Sequence, residues 1–573
     1  MAAVCAVLIL GQINFDLALP DYMSSLTVLI KTPGSTLSDI LHTGLEMLGC
    51  TLASAVLCVI CGYLTAKVAA GFSFSIREAV FHKIADFGQQ EMMTFSVPSL
   101  INRTTNDITQ VQMLTAMGLQ ILIKSPVMAV WAIIKIVGKS WTLSAITAGF
   151  VAALLVMMAV IIGVVVPRFR RVQKLTDHIN LVARENLNGI NVVHAYNAED
   201  YQNAKFWKGN EELMRTQLFN QRAFAFLMPG VTLAMNALSL VIYWVGASIV
   251  NAVPAADPAA RLAAFSDIVV FGTYATYVIM SIMMMVMIIM MLPAAQVSAQ
   301  RINEVLETRN SLTQGARIDA LETGTVEFRD VSFKYVASGS GDDVLSHISF
   351  HVRPGQFVAI VGGTGTGKST LVNLIPRFYD VTGGQVLLDG VDVRNYPLEE
   401  LRGRIGMVLQ TNILFSGTIR ENLSMGDRGA GEAQLCAALE TAQAADFVAE
   451  AGGLDAVLVQ GGVNLSGGQR QRLSLARALV RGGAVLVLDD CTSALDPATE
   501  RRVLDGLERR PGQAVLHITQ KVRAARTADR ILVLEEGRQV GLGTHRSLLD
   551  TCPTYREIWA SQAPEEEGED GTR

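Results

Sequence analysis

Charged residues are scarce in this 573-residue chain, at 17% of the sequence. A soluble globular domain of ordinary composition carries about a quarter charged residues. Half of the residues are hydrophobic and the mean hydropathy is +0.35. These values exclude a wholly soluble protein and predict a large part embedded in a membrane.

Cysteine and excess positive charge are also scarce. Seven cysteines in a chain of this length do not indicate a disulfide framework. Cys58 and Cys61 form a CxxC pair inside an apolar run with no second pair nearby, so we interpret them as residues facing lipid or core rather than as a redox or metal site. The net charge of −5 excludes a strongly basic chain, and we therefore expect no nucleic-acid partner.

The apolar residues are concentrated in the first half of the chain. Six runs exceed the roughly 20 residues needed to cross the hydrocarbon of a bilayer. They are 2–29, 44–66, 113–138, 141–166, 226–251 and 267–292. The first run has no basic segment before it, so we interpret it as a spanning helix rather than a cleaved signal. Whether a further helix precedes it stays open.

Lysine and arginine predict the orientation of these spans. The segments 67–106 and 167–222 hold four and nine of them, whereas the alternate loops hold little beyond Lys31, Lys139 and Arg261. Because cytoplasmic loops are enriched in positive charge, both segments and both termini are predicted to be cytoplasmic. The two segments also have apolar residues at helical spacing, which predicts helices that extend beyond the membrane. Breaks near Val97–Asn106 and Gly189–Glu199 predict a short transverse helix in each.

Three charged residues and a group of methionines stand out within the spans. Asp16, Glu46 and Lys124 either mark a polar pathway or lie close to the ends of their spans. The last span is rich in methionine, at positions 280, 283, 284, 285, 287, 290 and 291. Methionine suits a cavity that accepts varied apolar ligands, but we favour ordinary packing against lipid as the simpler interpretation.

The second half has a different composition, with a net charge of −7 after residue 320 against +2 before it. We expect a membrane domain at 1–295, a linker at 296–320, a soluble domain at 321–560 and a disordered acidic tail at 561–573. In the soluble domain an apolar strand, Gln356–Val361, precedes a glycine-rich loop and a helix-forming run. The loop is Gly362, Gly363, Thr364, Gly365, Thr366, Gly367, Lys368, Ser369 and Thr370.

This loop matches the phosphate-binding pattern G-x-x-x-x-G-K-S/T in its usual context between strand and helix. Its backbone N–H groups are predicted to converge on phosphate oxygens, with Lys368 reaching the β- and γ-phosphates and Ser369 holding Mg²⁺. A second apolar strand ends in Asp489, where a carboxylate would order the water shell of the metal. The sequence therefore predicts a site for ATP and Mg²⁺.

A further motif precedes that strand and identifies the family that the chain resembles. It consists of Leu465, Ser466, Gly467, Gly468 and Gln469. This pentapeptide resembles the signature motif of the ATP-binding cassette (ABC) family, and it lies between a phosphate loop and an Asp-ended strand, as in that family. Six spans followed by one such domain extend the resemblance to the whole chain, as a half-transporter of the exporter fold. The fold implied is an α-helical membrane domain with coupling helices, followed by an α/β P-loop domain.

The resemblance implies roles for other residues. Tyr335 is similar to the aromatic residue that stacks on adenine, Gln410 to the glutamine that joins Ser369 and Asp489 around Mg²⁺, and Asp496 to the aspartate of the D-loop. In this family two cassettes meet head to tail, so a second half-transporter is implied as a partner. Ser466 and Gly468 would then face the γ-phosphate of the ATP held by that partner.

The chain departs from the family pattern at the reaction site. Asp490 stands where the family usually has the glutamate that polarises the attacking water, and Gln520 stands where it has the switch histidine. Asp is one methylene shorter than Glu, and Gln cannot carry the proton of His. The sequence Gln460-Gly461-Gly462 also replaces an acidic-basic-glycine element. The chain thus resembles one subunit of a bacterial multidrug-type heterodimeric exporter, with a degenerate ATP site of its own and an intact signature for its partner.

We therefore expect a multi-pass plasma-membrane protein that exports small amphipathic drugs or lipids. One alternative is a homodimer in which Asp490 and Gln520 are tolerated. A second is an importer of siderophore-like substrates on the same fold. A third is a nucleotide-gated or regulatory membrane protein with little ATP turnover.

Overall fold

The structure is a computed structural model of the chain. It describes residues 1–31, 35–254, 257–316, 323–335, 343–508 and 512–562. Of the predicted acidic tail, only Ser561 and Gln562 fall within these ranges, and the remainder lies outside the described residues.

Ten helices form the first part of the described chain. They are α1 Ala2–Lys31, α2 Leu37–Ala85, α3 Gln89–Thr94, α4 Val97–Asn102, α5 Ile108–Val137, α6 Trp141–Asn188, α7 Ile190–Ala195, α8 Glu199–Ala225, α9 Leu227–Ala252 and α10 Pro258–Glu307. Six helical stretches among the described residues are long and apolar enough to cross a membrane: α1, α2, α4 with α5, α6, α8 with α9, and α10. The predicted number of spans is confirmed.

Most of these helices are much longer than a bilayer is thick. Helix α2 has 49 residues, so at 1.5 Å per residue it is about 74 Å long, against roughly 30 Å of hydrocarbon. Helices α6 and α10 have 48 and 50 residues. The helical periodicity in 67–106 and 167–222 predicted helices that extend beyond the membrane, and helices of this length are present.

The first predicted break is in a different place. The separate short helix is α3, whereas Val97–Asn102 begins a long helix that continues into α5 through one π-helical turn, Arg103–Asp107. Pro98 does not break the chain here, because it lies in the first turn of α4, where its missing N–H would be unpaired in any case. The second predicted break is occupied by α7.

Helix α10 continues past Pro293 to Glu307. The first twelve residues of the segment that was expected to be a linker are therefore helical. Ala295, Ser298, Ile302 and Val305 are buried, and their spacing of three to four residues gives this stretch one packed face. Burial of that face stabilises the helix beyond the proline.

The chain divides into two compact units. The first is Met1–His82 with Ile101–Leu306, and the second is Lys83–Leu100 with the chain from Glu307 onward. The segment Lys83–Leu100, which contains α3, therefore groups with the soluble domain and not with the spans that flank it in the sequence.

The soluble domain has twelve strands and ten helices among its described residues. The strands are β1 Val326–Phe333, β2 Leu345–Val352, β3 Phe357–Gly362, β4 Gly383–Leu388, β5 Val391–Asp392, β6 Ile405–Val408, β7 Gly417–Thr418, β8 Val457–Leu458, β9 Val485–Asp489, β10 Ala514–Ile518, β11 Arg530–Glu535 and β12 Arg538–Gly543. The helices are α11 Lys368–Asn373, α12 Leu398–Gly403, α13 Ile419–Ser424, α14 Glu432–Thr441, α15 Ala445–Glu450, α16 Gly467–Arg481, α17 Pro497–Glu508, α18 Val522–Ala525, α19 His545–Thr551 and α20 Pro553–Gln562.

A six-stranded sheet organises this domain, in the order β12-β11-β3-β10-β9-β6. All neighbours pair in parallel except β11 and β12. Strands β3, β9 and β10 are buried almost throughout, as expected of a parallel sheet covered on both faces. An antiparallel sheet, β2-β1-β4-β5, shares one of the two hydrophobic cores. Ligands of such sheets bind at the carboxyl ends of the strands, where β3 and β9 end.

Candidate nucleotide-binding site

The phosphate loop follows β3 at the carboxyl edge of the parallel sheet, where the sequence predicted it. Gly367 ends the loop with φ +90°, and a Cβ there would lie 2.8 Å from the Leu345 side chain and 3.0 Å from the Val344 carbonyl oxygen. Only glycine adopts this backbone without strain or clash. The loop can therefore turn sharply and present its N–H groups to a phosphate.

Lys368 is held across the loop that it closes. Its ammonium group donates to the carbonyl oxygens of Gly362, at 3.0 Å, and Gly363, at 2.6 Å. Burial lowers the pKa of this lysine, and the neighbouring Asp489 and Asp490 carboxyls oppose that shift. The side chain is thus oriented over the loop, as a phosphate-binding lysine requires.

The two residues predicted to serve the metal are in contact. The Ser369 hydroxyl donates to a carboxyl oxygen of Asp489 at 3.0 Å, and Asp489 is buried at the end of β9. Burial raises the pKa of Asp489, and the Ser369 hydrogen bond opposes the shift. Hard oxygen donors of this kind are the ligands that Mg²⁺ prefers, so these residues fit the metal that the sequence predicted.

A cavity of about 260 Å³ gathers half of the predicted site residues. Its lining includes Thr364, Gly365, Gly367, Lys368, Ser369, Thr370, Gln410, Asp489, Asp490 and Gln520. These residues come from four separate places in the sequence, and the parallel sheet brings them together because β3, β6, β9 and β10 end at the same edge.

Asp490 follows β9 with a left-handed backbone, at φ +50°. Its N–H donates to the Ile518 carbonyl oxygen at 3.1 Å, and its own carbonyl accepts from the Ser493 hydroxyl at 3.1 Å. Burial raises the pKa of the Asp490 carboxyl, while the positive charge of Lys521 lowers it. The carboxyl therefore lines the cavity on a fixed backbone, with the shorter reach of aspartate.

Gln520 follows β10 and lies at the same cavity with an exposed side chain. Its backbone carbonyl accepts from the Gln562 side chain at 2.8 Å. His517, three residues earlier, points elsewhere: it is 0% exposed in the middle of the sheet. It therefore does not substitute for a histidine at position 520.

Tyr335 lies beside the phosphate loop, outside the 260 Å³ cavity. Its hydroxyl is 3.0 Å from the Thr370 hydroxyl, and its ring packs edge-on against Phe333 and Tyr379, with centroids 4.9 and 5.2 Å apart. It also lines a second cavity of about 370 Å³, with Gln90, Met93 and Tyr379 among the other lining residues.

The signature residues and Asp496 are not part of the cavity lining. Ser466 begins α16: its hydroxyl accepts from the Gln469 N–H at 3.3 Å and its N–H donates to the Gln469 side chain at 2.8 Å. This capping box fixes the start of the helix and leaves Ser466 exposed. Asp496 caps α17 in the same way, because its carboxylate accepts from the Thr499 N–H at 2.9 Å.

Two residues that the sequence did not single out support the segment after β9. The buried Gln471 side chain donates to Ser493 at 2.9 Å and accepts from the Ala494 N–H at 3.0 Å. The Lys521 ammonium donates to the Thr492 carbonyl at 3.2 Å and to the Glu500 carboxylate. The sequence offered only a weak indication of these roles, because each residue is simply a long polar side chain beside a recognised motif.

The segment that contains α3 is attached to the soluble domain by a buried carboxylate. One Glu91 oxygen accepts from the Gly88 N–H and the other from the Ser311 N–H, both at 2.8 Å. The Asn310 side chain also donates to the Asp86 carbonyl at 3.1 Å. These bonds connect the segment to the residues that follow α10.

Comparisons with known proteins agree with this geometry. The profile of the ABC transporter family matches residues 345–493, and that of the ABC transporter transmembrane region matches residues 3–282. A solved structure described as a bacterial Atm1-family ABC exporter with ATP bound has the same fold, with a TM-score of 0.82 over 98% of this chain and 99% of that one, at 23% identity.

Curated relatives match along nearly the whole length. An uncharacterized ABC transporter ATP-binding protein of Mycobacterium tuberculosis (strain H37Rv) is 38% identical over 559 residues, 95% of this chain and 93% of that protein. One of Bacillus subtilis (strain 168) is 34% identical, covering 98% and 96%. An ATP-dependent lipid A-core flippase of Aromatoleum aromaticum is 32% identical, covering 88% and 82%. With its six spans, its phosphate loop and these matches, the chain belongs to the ABC transporter family.

Proposed function

We propose that this chain is one half of a heterodimeric ABC exporter that uses ATP to move small amphipathic molecules, drugs or lipids, across the plasma membrane. The cassette and both termini are cytoplasmic in this proposal, in line with the basic segments 67–106 and 167–222. The similarity to lipid A-core flippases supports a lipid-like substrate.

One observation carries the unequal-site part of this proposal. The cavity that holds Lys368, Ser369 and Asp489 in a phosphate- and metal-binding arrangement also holds Asp490 and Gln520, where hydrolysis needs a glutamate and a histidine. In this proposal the phosphate- and metal-binding residues are retained and the reacting groups are altered. This supports a site that retains ATP and hydrolyses it slowly, because misplacement of a base by about 1 Å can cost on the order of a hundredfold in rate.

The residues of this chain have separate tasks in the proposed mechanism. The loop N–H groups and Lys368 would bind the phosphates, and Ser369, Asp489 and Gln410 would hold Mg²⁺, which would supply positive charge against the phosphate oxygens. Ser466 and Gly468 present donors from the start of α16 to the ATP of the partner. Closure of the two cassettes then changes which side of the membrane the substrate cavity faces.

The test is ATP hydrolysis by the purified chain alone, by the chain with its partner, and by the pair in which the partner's catalytic glutamate is changed to glutamine. We expect almost no turnover from the chain alone, turnover from the pair, and loss of that turnover in the variant pair. Brisk hydrolysis by the chain alone contradicts the proposal and restores the homodimer. A partner that also lacks its glutamate favours the gated or regulatory alternative.

A further inference from the structure

An ion pair joins α1 to α5 inside the membrane-spanning region. The Lys124 ammonium lies 3.2 Å from a carboxyl oxygen of Asp16, and the Ser54 hydroxyl donates to the other oxygen of that carboxyl. Both charged residues were singled out in the sequence, and the nucleotide site uses neither of them.

The position of this pair is deep. Asp16 lies near the midpoint of the 30-residue α1. Lys124 lies near the midpoint of the 30-residue α5, which runs from Ile108 to Val137, and near the middle of the apolar run 113–138. Charges at such depth are rare, and they mark a functional site by default because desolvation makes them costly.

A second pair on the same two helices provides a comparison. Lys135 and Asp21 lie 2.6 Å apart, and Lys135 is two residues from the end of α5. Charges near a helix end reach the membrane interface easily, so this outer pair needs no role beyond joining the helices. The Asp16–Lys124 pair differs from this outer pair because it lies deeper in the membrane-spanning region.

The deep pair is also accessible. The Lys124 and Asp16 side chains retain 26% and 24% of their surface, so neither charge is sealed by packing. Lys124 is followed by Ser125, whose hydroxyl donates to the Ser281 carbonyl, which places α10 at this level. There α10 exposes Met280 and Met284, at 45% and 40% of their surface. A flexible apolar surface therefore lies at the same depth as an open pair of opposite charges.

We infer that the Asp16–Lys124 pair binds the headgroup of a zwitterionic amphiphile, whose chain packs against the exposed methionines of α10. A headgroup of one sign would neutralise one side chain and leave the other charge unpaired in a medium of low dielectric constant. A headgroup with both signs satisfies both side chains. The inference rests on the proposed transport function and names its substrate class.

The experiment compares amphiphiles that share a twelve-carbon chain: dodecylphosphocholine, dodecyl phosphate and dodecyltrimethylammonium. The full-length chain with its partner is placed in lipid nanodiscs, and stimulation of ATP hydrolysis is measured against concentration for each probe. We expect dodecylphosphocholine to stimulate at the lowest concentration. Asp16→Asn leaves the positive charge of Lys124 unpaired, so the variant is expected to be stimulated at the lowest concentration by the anionic dodecyl phosphate. Lys124→Met shifts the preference to dodecyltrimethylammonium, and each change raises the half-maximal concentration of dodecylphosphocholine about tenfold.

The matched controls are Asp21→Asn and Lys135→Met, which alter the outer pair and are expected to leave the order of the three probes unchanged. The double variant Asp16→Asn with Lys124→Met has no unpaired charge, so it keeps the test valid if a single variant does not fold, and it is expected to lose the preference for the zwitterion. Nanodiscs with and without phosphatidylethanolamine distinguish a membrane lipid from an added amphiphile, because a lipid ligand would already give full stimulation.

The outcomes separate the two proposals. If the parent pair is stimulated but the order of the probes is the same in all variants, the headgroup inference is overturned and the transport function stands. If the parent pair neither responds to any amphiphile or lipid nor transports one, the proposed function itself is wrong.

Discussion

At the scale of single residues, the proposed nucleotide site combines phosphate- and metal-binding residues of the expected type with Asp490 and Gln520 at the positions proposed for the reacting groups. Asp490 and Gln520 line the same cavity as Lys368 and Ser369, so the altered residues are in place to act on the same nucleotide. Placing a glutamate at position 490 and a histidine at position 520 should therefore increase ATP hydrolysis at this site without any other change to its residues.

We accordingly predict that Asp490→Glu with Gln520→His raises ATP hydrolysis at this chain's own site by at least tenfold. The physical reason is reach: glutamate adds one methylene, and histidine adds a group that exchanges a proton. The measurement is turnover by the pair in which the partner's glutamate is replaced, so that only this site can contribute. An unchanged rate would mean that the left-handed backbone of Asp490, and not its length, limits the reaction.

Burial of His517 is expected to lower the free energy of unfolding of the protein. The side chain is fully buried, and among the described residues neither ring nitrogen has a hydrogen-bond partner. Burial lowers its pKa to about 4. In the unfolded chain the pKa of this histidine is near 6.5, so the unfolded state binds the proton more readily than the folded state. The folded state therefore has its full stability with respect to this group above about pH 6.5 and loses stability as the pH falls towards 4.

We predict that His517→Leu raises the free energy of unfolding by about 1 kcal/mol at pH 7, because it removes two unpaired buried nitrogens. It should also lessen the fall in melting temperature between pH 7.5 and pH 5.5. Thermal unfolding of the full-length protein measures both effects, with His351→Leu on the domain surface as the control. An equal fall in the parent and in His517→Leu would show that other groups set the acid sensitivity.

At the scale of elements, the Glu91 carboxylate attaches the segment that contains α3 to the soluble domain. Each of its two oxygens accepts one backbone N–H, from Gly88 and from Ser311. A glutamine keeps one acceptor and turns an NH₂ group towards the second N–H, so one buried bond is lost. Such a loss costs about 1–3 kcal/mol.

We therefore predict that Glu91→Gln increases amide hydrogen exchange in residues 86–95 and 310–312 by about tenfold, which corresponds to about 1.4 kcal/mol of local stability. Glu78→Gln, at an exposed position of α2, is the matched control and should leave exchange unchanged there. Equal protection in Glu91→Gln and the parent would show that the other contacts of the segment suffice to hold it.

Elements were predictable from the sequence to different degrees. Hydropathy predicts the six spans because each helix in the membrane must be apolar over about 20 residues, and the phosphate loop is recognisable because its glycines are required at fixed positions. The site of α3 was not predictable, because Pro98 is compatible with both a helix start and a break. The roles of Glu91, Gln471 and Lys521 depend on partners distant in the sequence, and no local pattern encodes those contacts.

At the scale of the whole molecule, the proposed heterodimer makes one chain serve two unequal sites. Lys368 belongs to this chain's own site, whereas Ser466 is exposed at the start of α16 and outside that cavity. The two residues should therefore differ in their effect on the activity of the pair.

We predict that Ser466→Ala reduces the ATP hydrolysis of the pair more than Lys368→Ala does, by at least fivefold in rate. The reason is that, in the proposed heterodimer, Ser466 completes the competent site of the partner, whereas Lys368 serves the slow site. Steady-state hydrolysis by both variant pairs measures this, with the thermal stability of each pair as the control for folding. A larger loss with Lys368→Ala would place the main turnover at this chain's own phosphate loop.

The attachment of Lys83–Leu100 to the cassette has a consequence for chimeras between members of this family. Transplanting a cassette with a single junction after α10 would leave behind the Glu91 carboxylate to which Ser311 donates its N–H. The foreign cassette would then meet a segment selected for a different surface. The unit that can be recombined as a whole is discontinuous in the gene, and a graft that carries both pieces should retain contacts that a conventional domain swap breaks.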